Sequence, residues 1–428
     1  MVQVPRHAAA PRRFGYDGAM KNCFCLMGTA VALLGASIGC SSGSGANANG
    51  ANADAGSSDA GPSSSDTDSS VTPGEDGGPG ADGASGGDAS GPVGDANGPA
   101  PDGGYPAGWL YTEGGKIYES TGSAGTAWMG RGVNIDDIFF CGYDSTLWMT
   151  TPDQTLETVI SGLVSGWKPS FVRISLSMDS YTTVTSWLGT DAAQYKTPMT
   201  GVIDALGTHP GVYVLVTLRS DASMIGQDSA NDPEATGLPS DTTTTPNATT
   251  YPTGTDATYV ALVDSFASSS FVLFGLTNEP GGNTLSNTTI AAAMSHAVGV
   301  IRAEEDRLKV PHHIVSVQGN GWTSDISFYA TSPLPYDNVV YEIHGYPPTA
   351  SSYTYANIPV IIGEYGTLTD STTFYADLET KQIPNLAWDF DSYSDCAPDL
   401  LTVNQSATSL VPSTWGSTVQ AYLLAHAP

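Results

Sequence analysis

The chain has 428 residues, 40% of them hydrophobic, and a formal net charge of -29. That length fits one large domain or two to three small ones. With only 14 Lys and Arg it lacks the basic surface a phosphate backbone requires, so nucleic acid is excluded as a partner and the acidity is read as solubility.

In chain order, Arg6, Arg12, Arg13 and Lys21 form a basic region ahead of a short apolar run from Phe24 to Ile38. The run is too short, and too rich in Ala and Gly, to span a bilayer comfortably. A removable export signal over residues 1–40 is therefore expected rather than a transmembrane helix. Ser37-Ile38-Gly39-Cys40, followed by Ser41-Ser42-Gly43, resembles a bacterial lipoprotein cleavage site, although Ser37 stands where Leu is usual. Two outcomes stay open: Cys40 lipidated, with the chain tethered to a membrane, or ordinary cleavage nearby with Cys40 unmodified. Of five cysteines, Cys23 and Cys25 lie in the signal, which leaves Cys141 and Cys396 in the exported domain, where a disulfide is permitted.

Residues 41–104 are dominated by Gly, Ala, Ser, Asp, Pro and Asn, without Lys, Arg or aromatics. Such a segment cannot bury enough apolar surface to offset its chain entropy, so a disordered, extended acidic linker is expected there. The folded part begins near residue 105. Trp109-Leu110-Tyr111 and Lys116-Ile117-Tyr118, around Glu113-Gly114-Gly115, read as a β-hairpin, with a third short strand near Trp128.

Strand and helix then alternate. Strands are predicted over 130–135, 170–176, 212–218, 271–276, 313–318, 338–343, 358–363 and 385–390, mostly as unbroken apolar runs suited to burial on both faces. Helices are predicted over 152–165, 192–208, 256–268, 288–308, 371–380 and 413–426, with weak ones near 324–330 and 351–356. Eight strands alternating with helices over about 300 residues predict an α/β fold, a (β/α)8 barrel with a short N-terminal β-hairpin. An open doubly wound sheet is the runner-up, but it calls for a Gly-rich phosphate loop that the first strand lacks.

In such a barrel the reactive residues sit at the C-terminal strand ends. The fourth strand ends in Asn278-Glu279-Pro280 and the seventh in Gly363-Glu364-Tyr365-Gly366. Two carboxylates across one mouth can flank a glycosidic bond as acid/base and nucleophile, and their mutual repulsion is expected to leave one protonated at rest. The third strand is followed by Arg219-Ser220-Asp221 and a long polar, Thr-rich loop from 222 to 255, read as cleft wall, lid or simply mobile chain.

From residue 108 to 426 these features resemble glycoside hydrolase family 5, the cellulase-like family of clan A. The resemblance rests on Arg131-Gly132-Val133-Asn134, Phe171-Val172-Arg173-Ile174, Asn278-Glu279-Pro280, Glu342-Ile343-His344-Gly345-Tyr346, Gly363-Glu364-Tyr365-Gly366 and Leu386-Ala387-Trp388, in this order. It implies Glu279 as acid/base and Glu364 as nucleophile. Arg173, His344 and Tyr346 would support the carboxylates, Asn278 would bond the sugar 2-hydroxyl, and Trp388 would stack on the sugar. The family usually carries His at the end of the third strand; Arg219 or Asp221 would replace it here, which leaves the substrate in doubt. The expected substrate is a β-linked polysaccharide, glucan or mannan.

Each residue also has a structural reading. Glu279 could cap a helix, Arg173 could pair with any barrel acid, and His344, Trp388 or Trp322 could be packing; Trp322, after Gly319-Asn320-Gly321, could equally be a sugar platform. No cofactor is expected. His312 and His313 are adjacent in a predicted strand and so face apart, and no His/Cys spacing suggests a metal site. Cys141 follows the first strand and Cys396 the eighth, which are neighbours in a closed barrel, so a disulfide between them is expected. A non-catalytic glycan-binding barrel remains the alternative from another class, disfavoured because both Glu residues are present.

Overall fold

The computed structural model describes residues 104–135, 152–176, 196–218, 255–280, 285–346, 355, 357–392, 398–402 and 410–427. The signal, Cys40, residues 41–103, Cys141, Cys396, Arg219, Asp221, the loop to 254 and most of the 351–356 helix lie outside them.

Three short antiparallel strands open the fold: β1 (Leu110–Glu113), β2 (Lys116–Ser120) and β3 (Gly125–Ala127). Eight parallel strands then close into a barrel: β4 (Arg131–Ile135), β5 (Phe171–Leu176), β6 (Tyr213–Leu218), β7 (Val272–Gly275), β8 (Val315–Gln318), β9 (Val339–Gly345), β10 (Val360–Tyr365) and β11 (Asn385–Ala387). Helices α1 (Pro152–Gly166), α2 (Lys196–Gly207), α3 (Thr255–Phe266), α4 (Asn287–Leu308), α5 (Ser327–Thr331), α6 (Ser371–Lys381) and α7 (Thr414–Ala425) connect and follow them. The (β/α)8 architecture is the one the alternation predicts.

The period of two along each strand splits the core. Outward residues such as Val172, Ile174, Val214 and Val216 pack under the helices. Inward residues near the N-terminal strand ends, among them Phe171, Tyr213, Leu215, Val340, Ile361 and Leu386, form a second apolar layer. Leu110 and Ile117 of the small sheet, with Trp128, join that layer and close the barrel floor. One step further up the interior turns polar: Asn134, Arg173, Ser316 and Glu342 all sit in the barrel strands and are buried. Glycines make room beside them. A Cβ on Gly363 would lie 1.9 Å from Glu342 Oε1.

Gly132 of β4 is needed for strand spacing. A Cβ there would lie 1.5 Å from the Phe171 backbone oxygen, which cannot rotate away. Gly132→Ala is expected to cost about 3 kcal/mol or more, seen as a drop of several degrees in the thermal midpoint or as loss of soluble protein.

Two boundaries differ from the sequence reading for identifiable reasons. The eighth strand stops at Ala387 rather than 390, because Asp389 turns its backbone to Pro398 and Leu400 instead of the barrel. His312 and His313 precede β8 rather than lying in it. His312 meets Asp337 at 2.8 Å, and His313 meets Glu305 at 2.8 Å.

Candidate active site

The polar interior opens at the C-terminal ends of the strands. Glu364 is the penultimate residue of β10, inside the strand rather than past it. The register between β9 and β10 shifts between Ile362 and Glu364, which sets Glu364 opposite His344. Glu342 and His344 are two apart on β9 and so share the inward face. Glu279 follows β7 in the left-handed region, with φ of 45°. A non-glycine residue held there costs on the order of 1 kcal/mol and needs its surroundings to hold it.

Gln318, at the end of β8, supplies that hold. Its Oε1 accepts the Glu279 backbone N–H at 2.5 Å and the Thr323 hydroxyl at 2.9 Å. The same side chain therefore ties Glu279 to the turn Gly321-Trp322-Thr323, whose three residues all have φ between 53° and 59°. Asn320 anchors that turn from the other side through the Leu285 carbonyl and Asn287. Trp322, at its apex, is 38% exposed.

Arg173 is fully buried at the centre. Its Nη1 donates to Glu364 Oε1 at 2.7 Å and to Asn134 Oδ1 at 3.0 Å, and its Nη2 donates to Asn278 Oδ1 at 2.5 Å. Its Nε lies 3.0 Å from Glu342 Oε1 as an ion pair. Asn134 is held in turn by the Gly363 carbonyl at 3.0 Å. The second oxygen of Glu364 accepts the Tyr346 hydroxyl at 3.1 Å, while the Tyr346 ring is half exposed.

His344 lies between the carboxylates. Its Nδ1 is 2.7 Å from Glu279 Oε1 and 3.6 Å from Glu364 Oε2, and its Nε2 is 2.9 Å from Glu342 Oε1. Burial would favour the neutral ring. Glu364, with Glu279 and Glu342, outweighs it and raises His344 to about 10. Burial likewise pushes Glu342 up, and Arg173, with His344 and Ser316, brings it down to about 2.

Among the described residues, Glu279, His344 and Glu364 form the one group whose donor atoms, all within 4.8 Å of one another, could hold a metal ion. The donor set does not suit one. Both imidazole nitrogens are engaged by carboxylates, and the ring is held protonated, with no lone pair to give.

The structure thus gathers Glu279, Glu364, Arg173, Asn278, His344 and Tyr346 into one contact network. Trp388 follows β11 and is nearly buried; its backbone N–H donates to Tyr365 and its carbonyl accepts Trp415 Nε1. Trp322 stands on the same mouth, linked through Gln318. Arg219 and Asp221 fall outside the described residues. Four members, Asn134, Ser316, Gln318 and Glu342, had no role from sequence. The available signal was a polar residue inside an otherwise apolar strand, where burial is expensive without a partner.

A family model described as cellulase, glycosyl hydrolase family 5, matches residues 130–394. No curated protein matches the chain in sequence. Among solved structures it is similar in fold to the catalytic domain of Thermobifida fusca endoglucanase Cel5A, with a TM-score of 0.55 and 17% identity over 74% of this chain and 97% of that one. It is also similar to a β-mannanase from Streptomyces thermolilacinus solved with mannohexaose, with a TM-score of 0.51 and 19% identity over 75% and 96%. A cellulase, Cel5C_n, gives a TM-score of 0.56 at 18% identity over 76% and 95%.

Proposed function

Because the chain belongs to glycosyl hydrolase family 5, we propose that it is a retaining endo-β-glycanase cutting β-1,4-linked glucan or mannan by double displacement. The observation that carries this reading is the spacing of the two mouth carboxylates. Oxygens of Glu279 and Glu364 lie within 4.8 Å of each other. Retention needs carboxyl groups roughly 5–5.5 Å apart, whereas inversion needs a gap of about 6.5 Å or more for a water.

Glu364 attacks the anomeric carbon. Arg173 and Tyr346 hold one of its oxygens each, which keeps it aimed. Glu279 gives its proton to the leaving oxygen and then takes one from water. Asn278 spends its Oδ1 on Arg173 and offers its amide N–H to the sugar 2-hydroxyl. Trp388 and Trp322 offer ring faces to the sugars, and Arg219 and Asp221 bind hydroxyls in place of the usual third-strand His. No cofactor takes part. Export by the N-terminal signal, lipid attachment at Cys40, the acidic spacer and a Cys141–Cys396 disulfide complete the proposal; a non-reduced protein with both thiols titratable would exclude the disulfide.

The test is a reducing-end assay of the purified chain on carboxymethylcellulose, barley β-glucan, glucomannan, galactomannan and xylan, beside Glu279→Ala. Activity on a glucan or mannan is expected, reduced about 10²–10⁴-fold in the variant. Silence on all five from a folded protein would count against the reading and turn attention to an unusual linkage or to glycan binding.

A further inference from the structure

Glu342 is a third carboxylate beneath the catalytic pair, and double displacement gives it no task. It is fully buried in β9. Its Oε1 faces Arg173 Nε at 3.0 Å and His344 Nε2 at 2.9 Å, and its Oε2 accepts the Ser316 hydroxyl at 2.7 Å. Gly363 on β10 leaves the space it occupies. A buried ion pair is often no more stable than a well-packed apolar substitute, so structure alone is a weak reason for a carboxylate here.

His344 is faced by anions from three elements: Glu342 on its own strand, Glu279 after β7 and Glu364 on β10. The other groups around them are Arg173 of β5, which contacts Glu342 and Glu364, and the Tyr346 hydroxyl, which contacts Glu364. Two of the three anions change during the reaction. Glu364 becomes a neutral ester in the glycosyl-enzyme, and Glu279 is uncharged until it has given up its proton. Glu342 keeps its charge throughout, since Arg173 holds it ionised far below neutral pH.

Resting on the assignment of Glu364 and Glu279 above, we propose that Glu342 is a positioning residue for the second half-reaction, keeping His344 an imidazolium while Glu364 is esterified. The Nδ1–H of that imidazolium then holds the Glu279 carboxylate in line for water. The water oxygen bonds to the anomeric carbon. The bond from that carbon to the Glu364 oxygen breaks, its electron pair returning to Glu364, and the water proton passes to Glu279. A neutral His344 with its N–H on Glu342 would turn an Nδ1 lone pair toward Glu279 and lose this grip. The arrangement uses a carboxylate to fix an imidazole and stabilise its charged form, as hydrolase triads do.

The test is the pH dependence of kcat on 2,4-dinitrophenyl β-cellobioside and β-mannobioside, with the full chain. That leaving group needs no proton, so breakdown of the glycosyl-enzyme limits kcat and the acid role of Glu279 drops out. Removing an anion lowers the proton affinity of His344, so Glu342→Gln is expected to move the alkaline limb of kcat down by about one to two pH units. Glu342→Asp retains the charge and brings the limb back toward wild type; Ser316→Ala removes a hydrogen bond but no charge and leaves it in place. An unmoved kcat limb in folded Glu342→Gln, or an equal shift in Ser316→Ala, overturns the proposal. If Glu342→Gln does not fold, the nitrogen-15 signals of His344 in wild-type protein trapped as its 2-fluoroglycosyl-enzyme decide. A doubly protonated ring at pH 8 is expected, and a neutral one overturns the proposal. A wild-type chain silent on both glycosides and on every polymer instead removes the functional reading, and this inference with it.

Discussion

Glu364→Gln is expected to lower turnover by about four orders of magnitude or more while the protein still folds. The amide has the shape of the carboxylate, and its oxygen can still accept from Arg173 Nη1, which donates to Glu364 at 2.7 Å. Its NH2 group must then face the Tyr346 hydroxyl, an adjustment within reach of a half-exposed side chain. Arg173 retains Glu342 as its counter-charge, so no cation is left bare. What disappears is the negative charge that, on the assignment proposed above, makes the Glu364 oxygen a nucleophile. Reducing-end assays beside a thermal melt separate the two effects. Full activity in the variant would mean that another group is the nucleophile.

Arg173→Met is expected to damage both fold and site. The guanidinium is wholly buried and joins Asn134, Asn278, Glu342 and Glu364. Removing it strips Glu342 and Glu364 of their guanidinium and leaves them, with Glu279, sharing His344, and breaking a buried pair in this way costs about 3–5 kcal/mol. The pH dependence gives a second readout. Glu342 is depressed from 4.5 to about 2 in the fold, so its contribution is complete above 4.5 and is lost as pH falls toward 2. His344 is raised from 6.5 to about 10, so its contribution is complete below 6.5 and is lost as pH rises through 10. Both are therefore fully present between 4.5 and 6.5 in the wild type. Without Arg173, Glu342 rises toward its unfolded 4.5, so the acid edge of that plateau, the fall in thermal midpoint between 4.5 and 2, flattens. An unchanged acid edge would show that Arg173 does not hold Glu342 ionised.

The barrel was legible because its signal is repetitive. Unbroken runs such as Val212-Tyr213-Val214-Leu215-Val216 and Val360-Ile361-Ile362 mark strands covered on both faces, and helical stretches separate them. Glu279 and Glu364 stood out as carboxylates beside such runs. The polar layer under them was not legible. Ser316 and Gln318 look like ordinary strand residues until β8 is set beside β7 and β9. Glu342 was visible in its motif, but two of its partners, Arg173 and Ser316, come from strands β5 and β8, which only closure of the barrel brings to it. The backbone of Glu279 was likewise hidden, since a left-handed residue outside glycine has no sequence mark and depends here on Gln318. The eighth strand ran short because the hydrogen bonds of Asp389 go to residues 398 and 400, a long-range competition that apolar content does not encode.

The small sheet under the barrel also decides how the molecule can be held. Gly108 meets Tyr213 near the lower end of β6, Thr112 meets Asn338 just before β9, and the Trp109 ring packs at a tilt against His313 ahead of β8. The chain therefore enters its folded part at the closed end, opposite the face where Glu279 and Glu364 open to solvent. Any attachment made through residues before 104 grips the molecule by its base.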